Sequence, residues 1–221
     1  MTKKEEWLAG TRSAVPIMLG YVPVGIAYGV MARQAGLNTW QTVLMSLTVY
    51  GGASEMMAAG MVAQGAAVLT IVLTTFILNL RHIIMSTCVF NQMQGGRLPV
   101  RMLAAFGVTD ETFAVYTTTA NAPRTPRYFF SMALCSYLSW ALGSWLGAIA
   151  TGLLPPLITA ALGISLYAMF IGLLMPGLHG NGRLAALVVL TALCNTVLCN
   201  VVQLDSGWSM ILSTLGCAAM G

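Results

Sequence analysis

Three polar residues, Asn79, Arg81 and His82, lie close together within the apolar run TTFILNLRHIIMSTCVF. An ionised side chain near the centre of a lipid bilayer costs roughly 2.5–3.5 kcal/mol on insertion scales, so such residues are by default candidates for a functional site. Arginine offers a permanent cation for a carboxylate, and histidine changes charge between about pH 5 and 8 and can carry a proton. The structural alternative is that Arg81 extends to the nearer interface and that His82 is a hydrogen-bonded core residue.

Helical spacing divides these residues between two faces. Thr75, Asn79, His82 and Ser86 recur at intervals of four, three and four residues, so an ideal helix places them in one polar stripe. On such a helix Arg81 points about 100° away from His82. We therefore expect either that Arg81 contacts a different neighbouring helix or that the helix is unwound around Asn79.

A carboxyl group lies at similar depth in the run VYGGASEMMAAGM. Here Gly51 and Gly52 precede Ser54 and Glu55. The glycine pair has poor helix propensity and permits close backbone approach, which predicts an unwound or re-entrant stretch. Glu55 is either a neutral carboxyl packed beside methionines or a proton carrier.

Two further carboxyl groups are adjacent in the run GVTDETFAVY. Asp110 and Glu111 point to different helix faces. One of them caps a broken helix or forms an ion pair with Arg81, or else they take part in binding. Tyrosines in the apolar runs either line a cavity or anchor the span ends at the interface: Tyr50, Tyr116, Tyr137 and Tyr167.

The composition indicates that membrane-spanning helices must position these residues. Of the 221 residues, 57% are hydrophobic and 7% are charged, whereas soluble domains average about 25% charged residues. The apolar runs are continuous rather than alternating, which predicts helices and not a transmembrane barrel. The net charge of +4 comes from Lys and Arg near the ends of these runs, a pattern typical of membrane topology and not of nucleic-acid binding. The five cysteines stand singly without CxxC spacing, so we expect neither a disulfide nor a metal site.

The sequence therefore predicts an all-α, polytopic transmembrane bundle that forms one domain, residues 1–221. Pro16 and Pro23 are expected to kink or end the helix of the first span. A final apolar run, 207–220, is too short to cross alone. About seven spans are predicted, at residues 13–33, 40–62, 66–90, 102–120, 128–150, 156–178 and 184–203.

The basic residues predict an orientation with the N-terminus in the cytoplasm. This orientation puts six of them on the cytoplasmic side, Lys3, Lys4, Arg12, Arg124, Arg127 and Arg183, and three outside, Arg33, Arg97 and Arg101. Two GxxxG patterns, GIAYG at 25–29 and GSWLG at 143–147, predict close helix packing. Their similar positions in the first and fifth spans suggest an internal repeat.

Several of these motifs carry a family resemblance. FILNLRH at 76–82, YGGASEMMAAGM at 50–61 and GVTDETFAVY at 107–116 resemble motifs of the AzlC family, the large subunits of bacterial branched-chain amino acid exporters. The stretch at 17–37 is similar to the family's first span, and the resemblance covers most of the chain. It implies a multi-pass transporter of the bacterial inner membrane that exports L-valine and related amino acids. The expected partner is a small membrane subunit of the AzlD type, and no cofactor is implied.

The implied substrate agrees with the polar residues. A branched-chain amino acid is a zwitterion, so its site requires a cation or helix N-terminus for the carboxylate and acceptors for the ammonium group. We expect the carboxylate to bind Arg81 or the stretch that contains Gly51, Gly52 and Ser54. We expect the ammonium group to be received by Asp110 or Glu55 together with Asn79.

The same site requires an apolar wall and, for export against a gradient, a coupling group. The candidates for the wall are the methionines Met56, Met57, Met61 and Met85. The candidates for coupling to the proton gradient are Glu55, His82 and Glu111.

Two other classes of function remain as alternatives. The nucleotide-binding pattern GxxxxGK[ST] is absent, which favours a secondary carrier over an ATP-driven one. A structural or assembly subunit would use its GxxxG surfaces to bind partner helices. An intramembrane hydrolase using His82 with Asp110 or Ser86 is less favoured, because HExxH and GxSxG are missing; we therefore expect no enzyme.

Overall fold

A computed structural model describes residues 2–96, 98–119, 122–153, 178–204 and 206–219, and single residues at 155, 157, 158, 161, 164, 171 and 175. Within these residues the chain is helical, as predicted, and has no strand. The helices are α1 (Lys3–Gln34), α2 (Thr39–Thr48), α3 (Gly52–Ala63), α4 (Val68–Asn79), α5 (Arg81–Gln92), α6 (Leu98–Phe106), α7 (Asp110–Thr118), α8 (Pro126–Ala150), α9 (Gly182–Asn200) and α10 (Ser206–Ala218). Most of the predicted sixth span, 156–178, lies outside the described residues, as do Arg97 and Tyr167.

Four helical stretches in the described part of the chain are long and apolar enough to cross a membrane. They correspond to the predicted first, third, fifth and seventh spans: Lys3–Gln34, Val68–Gln92, Pro126–Ala150 and Gly182–Asn200. The second of these comprises α4 and α5, which meet at Leu80. The Leu80 N–H donates to the Ile77 carbonyl, 3.2 Å, so the predicted unwinding near Asn79 is confined to one tightened turn.

The first helix is longer than its predicted span. Thr2 caps it, because the Thr2 hydroxyl accepts from the Glu5 N–H and the Glu5 carboxylate accepts from the Thr2 N–H. The helix continues through Pro16 and Pro23, so neither proline ends it. Membrane helices tolerate proline where neighbouring helices and local adjustments satisfy the freed carbonyls.

The central contact of the fold joins α1 and α8, which run parallel. Near their starts, the ring centroids of Trp7 and Phe130 are 6.0 Å apart, and the carboxylate of Glu6 lies 3.6 Å from the guanidinium of Arg127. The same two helices are still in contact near their other ends.

Glycines make this contact close. Gly25 lies against Gly143, and Gly29 lies against the backbone of Ser144 and Gly147. A methyl group at Gly29 would collide with the Ser144 carbonyl oxygen, so the helices approach this closely because both lack side chains here. The two GxxxG patterns are thus the two sides of one contact, and the internal repeat they suggested stays a prediction.

The predicted second span, 40–62, is a helical hairpin formed by α2 and α3. The chain turns at Tyr50, whose φ of 45° is unusual for a residue other than glycine, and Gly51 is the N-cap of α3. Across the turn the Ser46 hydroxyl donates to the Glu55 carboxylate, 3.0 Å, and holds the two helices together. The glycine pair therefore marks a re-entrant stretch, one of the two forms predicted, and 40–62 is not among the described helices long enough to cross a membrane.

The predicted fourth span, 102–120, is also a hairpin, formed by α6 and α7. Thr109 caps α7 by accepting from the Thr112 N–H. The segments before and after the hairpin meet, because the Gln94 N–H donates to the Arg124 carbonyl, 2.6 Å. Chain entering and leaving at one end cannot cross the bundle between these points.

This second hairpin corrects the predicted distribution of basic residues. Arg101 donates to the Phe90 carbonyl at the end of α5, in the segment that Gln94 joins to Arg124. Arg101 therefore lies at the same end of the bundle as Arg124 and Arg127, and its predicted place on the opposite side is wrong.

The described core repeats one arrangement in two orientations. A long helix is followed by a hairpin, first as α1 with α2 and α3, then as α4 and α5 with α6 and α7. The two long helices run in opposite directions, so the hairpins enter from opposite ends and their tips meet midway. An inverted arrangement of interrupted helices around a central point is typical of secondary transporters.

The hairpin topology predicts which introduced cysteines share a side of the membrane. In a variant without its native cysteines, Lys4→Cys and Gln94→Cys should react from the same side with a membrane-impermeant thiol reagent, and Gln34→Cys should react from the other. The measurement is labelling of right-side-out and inverted vesicles. Labelling of positions 4 and 94 from opposite sides would mean that 40–62 crosses the membrane and would contradict the hairpin of α2 and α3.

Candidate functional site

A polar cavity lies where the two hairpin tips meet the middle of the long helices. Its volume is about 20 Å³, which is room for about one water molecule. The lining comes from five places: Tyr21 of α1, Trp140 of α8, Tyr50, Gly51, Gly52 and Ala53 of the first hairpin, Arg81 and His82 of α5, and Thr109, Asp110 and Glu111 of the second hairpin.

An ion pair crosses this cavity. The Arg81 guanidinium lies 2.9 Å from the Asp110 carboxylate, and both side chains are partly exposed. Arg81 is the first residue of α5 and Asp110 is the first residue of α7. The helix interruptions therefore bring together two charges whose separate burial in a membrane would be costly.

The second carboxyl group of this tip is held by a tyrosine. The Tyr21 hydroxyl donates to the Glu111 carboxylate, 2.6 Å, and is 2.7 Å from the Thr109 hydroxyl. Because Thr109 also caps α7, Tyr21 fixes the helix start and the carboxylate at once. Glu111 thus occupies a defined position in the cavity wall.

Glu55 is fully buried behind the cavity. Its carboxylate accepts from the Gly51 N–H at 2.9 Å, the Ser46 hydroxyl at 3.0 Å and the Trp140 indole N–H at 3.3 Å. The Ser46 hydroxyl is also 2.6 Å from the Ser144 hydroxyl on α8. No ion pair between Glu55 and a cationic side chain occurs among residues that the structure describes. Glu55 therefore links the first hairpin to α8 through neutral hydrogen-bond donors.

The N-terminus of α3 opens on the cavity without a capping side chain. Within the described ranges no acceptor takes the N–H groups of Gly52 and Ala53, which line the cavity. Free N–H groups at a helix start carry partial positive charge and bind anions. The start of α7 differs, because it has a capping threonine and two acidic residues in its first turn.

Three buried polar atoms around the cavity have no hydrogen-bond partner in the described structure: the Tyr50 hydroxyl, the Asn79 Oδ1 and the Arg81 Nε. Buried polar groups in native proteins are nearly always bonded, so these three atoms are free to bond with a ligand or water that enters the cavity. Tyr50 also has strained backbone at the hairpin tip, and strain of this kind concentrates at functional sites.

The structure brings together most of the residues proposed from the sequence. Six line the cavity: Gly51, Gly52, Arg81, His82, Asp110 and Glu111. Three lie directly behind its wall: Ser54, whose hydroxyl donates to the Gly51 carbonyl at 2.8 Å, Asn79, whose amide lies against Gly51, and Glu55. Ser86, the proposed partner of His82 in a hydrolase, is not part of the lining.

The predicted methionine wall is not part of this cavity and stays a prediction. Met56 and Met61 are buried in the helix-packing core, and none of Met56, Met57, Met61 and Met85 lines the cavity. Met56 belongs to the core cluster that includes Tyr50 and Trp140, and Met85 packs against this cluster, where methionine fills gaps between helices.

Tyr21, Trp140 and Thr109 were not proposed from the sequence, whereas Tyr50 was one of the open alternatives. Their position in the sequence could have identified Tyr21 and Trp140. Both lie near the middle of apolar runs, whereas aromatic residues that anchor a helix at the interface lie at the ends. An aromatic residue with a polar atom at that depth needs a hydrogen-bond partner, which in both cases is a glutamate.

Comparison with known proteins gives related sequences. A family model described as AzlC protein matches residues 16–154, which include every residue of the cavity lining. An uncharacterized membrane protein of Archaeoglobus fulgidus is 33% identical over 188 residues, which cover 84% of this chain and 82% of the relative. Inner membrane protein YgaZ of Escherichia coli is 30% identical over 179 residues, 76% of this chain and 72% of that protein. Branched-chain amino acid transport protein AzlC of Bacillus subtilis is 27% identical over 157 residues, 67% and 61% of the two chains. No solved structure matches the chain.

Two tyrosine-to-phenylalanine substitutions compare a hydroxyl group that is hydrogen-bonded with one that is not. Tyr21→Phe removes the hydrogen bonds to Glu111 and Thr109 and should lower the free energy of unfolding by about 1–3 kcal/mol. Tyr50→Phe removes a buried hydroxyl without a partner and should leave stability unchanged or slightly raised. Thermal unfolding of the purified proteins measures both, and equal destabilisation would contradict the bonding described for the cavity.

Proposed function

The chain belongs to the AzlC family of membrane proteins, and on that premise we propose that it is a secondary transporter subunit that exports branched-chain amino acids such as L-valine. The family includes a relative named as a branched-chain amino acid transport protein. The cavity at the hairpin tips is the proposed substrate site. Export is coupled to the proton gradient.

The observation that carries this proposal is the ion pair between Arg81 and Asp110 at 2.9 Å. A zwitterionic amino acid presents the same two charges a short distance apart. Its carboxylate binds Arg81 and the free N–H groups of Gly52 and Ala53, as a helix N-terminus favours. Its ammonium group binds Asp110 and the unbonded Asn79 Oδ1.

Substrate binding exchanges one ion pair for two. The cavity of about 20 Å³ does not admit an amino acid, so the hairpin tips must separate before binding. The Arg81 guanidinium then passes from Asp110 to the substrate carboxylate, while Asp110 passes to the ammonium group. Each protein charge keeps an opposite charge beside it, which limits the desolvation cost of opening the pair.

Proton coupling is assigned to Glu55, with His82 and Glu111 as further candidates. Glu55 is fully buried and its partners are all neutral donors. It also bonds to Gly51, the cap of the helix whose N-terminus faces the substrate carboxylate. A change in its protonation therefore alters the hairpin tip that binds the substrate.

The proposed setting is the bacterial inner membrane, with the N-terminus in the cytoplasm and a small AzlD-type subunit as partner. The end of the bundle that contains the N-terminus gathers most of the described basic residues: Lys3, Lys4, Arg12, Arg101, Arg124 and Arg127. Arg33 lies at the opposite end. This asymmetry supports a cytoplasmic N-terminus through the positive-inside rule.

The two alternatives receive less support. An assembly subunit was expected to use its GxxxG surfaces on partner helices, but both surfaces contact each other within this chain. A hydrolase was expected to use His82 with Asp110 or Ser86, whereas Asp110 is paired with Arg81.

The first test is counterflow of radiolabelled L-valine in proteoliposomes that contain this chain with its small subunit. Arg81→Ala removes the cation for the substrate carboxylate and should lower counterflow by about tenfold to a hundredfold. Arg33→Ala is the matched control, because Arg33 is an exposed arginine distant from the cavity and should retain wild-type counterflow. Absence of valine counterflow in the folded wild-type complex would reject the proposed substrate.

The second test separates exchange from proton-driven movement. Glu55→Gln keeps the shape of the side chain but cannot release a proton, so valine counterflow should persist while accumulation driven by an imposed pH gradient is lost. Glu5→Gln is the control, because Glu5 is exposed in the cap of α1. Gradient-driven accumulation that survives in Glu55→Gln would move the coupling role to His82 or Glu111.

A further inference from the structure

A second and larger space lies beside the polar cavity, between α2, α3 and α4. This crevice has a volume of about 310 Å³, at the lower end of the range for small-molecule sites. Most of its lining residues are apolar: Met45 on α2, Val49 at the end of α2, Ala58 on α3, and Ile71, Val72 and Phe76 on α4. Ser54, Glu55 and Thr75 complete the lining.

The wall between the crevice and the cavity is thin. Gly51 lines the cavity, and the neighbouring Ser54 lines the crevice. A methyl group on Gly51 would come within 2.5 Å of the Ser54 hydroxyl and 3.3 Å of the Asn79 Oδ1. These two side chains, together with the bare backbone of Gly51, lie between the two spaces.

On the α4 side of this wall, the Asn79 side chain can move without breaking a hydrogen bond. The amide of Asn79 makes no hydrogen bond to any residue in the described ranges, and its Oδ1 is buried. One turn earlier, Thr75 lines the crevice, and its buried hydroxyl also has no partner. Two unbonded polar atoms, the Asn79 Oδ1 and the Thr75 hydroxyl, therefore lie one helical turn apart on the side of α4 that borders the crevice.

We propose that this crevice receives the apolar side chain of the substrate while the amino and carboxylate groups stay in the polar cavity. The inference rests on the proposed function and adds the residues that determine specificity. The cavity alone offers no apolar wall of sufficient size, and the predicted methionines do not supply one. The crevice offers such a wall directly beside the groups assigned to the zwitterion.

This placement explains a preference for branched side chains. The crevice is lined by β-branched and aromatic residues on α4 and narrowed by Ala58 on α3, one turn after Glu55. Position 58 is the point where a larger residue would fill the space. A small amino acid such as alanine would leave the crevice empty and would be unaffected by its width.

The experiment measures competition against labelled L-valine counterflow by L-leucine and L-alanine, with the small subunit present. Ala58→Leu should raise the ratio of half-inhibitory concentrations, leucine over alanine, by about tenfold or more, because the leucine side chain loses its space. The ratio cancels any change in the binding of valine itself. Ala63→Leu is the matched control: it makes the same change on the same helix at an exposed position outside the crevice, and should keep the wild-type ratio.

A second variant changes the crevice in the other direction. Val49→Ala enlarges the crevice, so L-methionine should compete better against labelled L-valine than it does in the wild type. The ratio of half-inhibitory concentrations, methionine over alanine, should therefore fall. Val68→Ala is its control, because Val68 is an exposed valine that does not line the crevice. If Ala58→Leu does not fold, Val49→Ala alone tests whether the crevice receives the substrate side chain.

The outcomes distinguish this inference from the proposed function. Unchanged ratios in both crevice variants, from proteins of wild-type thermal stability, would overturn the inference and leave the crevice to a lipid chain or a partner helix. Equal loss of leucine and alanine competition in Ala58→Leu would also overturn it, because the polar site would then be affected. A wild-type complex that moves no amino acid would overturn the proposed function itself.

Discussion

Backbone that leaves the helical path inside a membrane finds no water to bond with, so protein must surround it. The two hairpin tips place such backbone near the middle of this bundle. The parallel pair of α1 and α8 supplies the covering surface, through Tyr21 on the second tip and Trp140 behind the first. The two rings lie 5.4 Å apart, which the glycine contacts between their helices permit. The cavity and its free N–H groups both follow from this requirement to bury interrupted helices.

The chemistry of the site was easier to predict than its architecture. Arg81, Asp110 and the glycine pair were evident because charged residues and glycines are rare at such depth in apolar runs. The break at Gly51 and the acidic start of α7 could also be predicted, because both depend on residues that are neighbours in the sequence. The structure adds distances to these expectations and joins them in one place.

The hairpins could not be predicted from hydropathy. Two short apolar helices with a turn between them have the same composition as one crossing, and 102–120 is long enough to span. The contact that distinguishes the two cases, from Gln94 to Arg124, joins residues far apart in the sequence. The roles of Tyr21 and Trp140 could not be predicted for the same reason, because their glutamate partners belong to other helices. The type of residue did not decide the place of the methionines, because a flexible apolar side chain suits a helix core, where Met56 and Met61 lie, as well as a binding wall.

The parallel contact of α1 and α8 has a consequence for biosynthesis. Gly29 and Gly147 meet in the finished protein, but at about 5–20 residues per second the ribosome delivers the second helix roughly ten seconds after the first. During that interval both hairpins have already been synthesised, and Glu55 lacks the indole of Trp140. Until α8 arrives, the first hairpin therefore lacks the partners that α8 supplies, the Trp140 indole for Glu55 and the Ser144 hydroxyl for Ser46. The contacts around the two hairpin tips are therefore complete only after α8, the fifth predicted span, has been inserted.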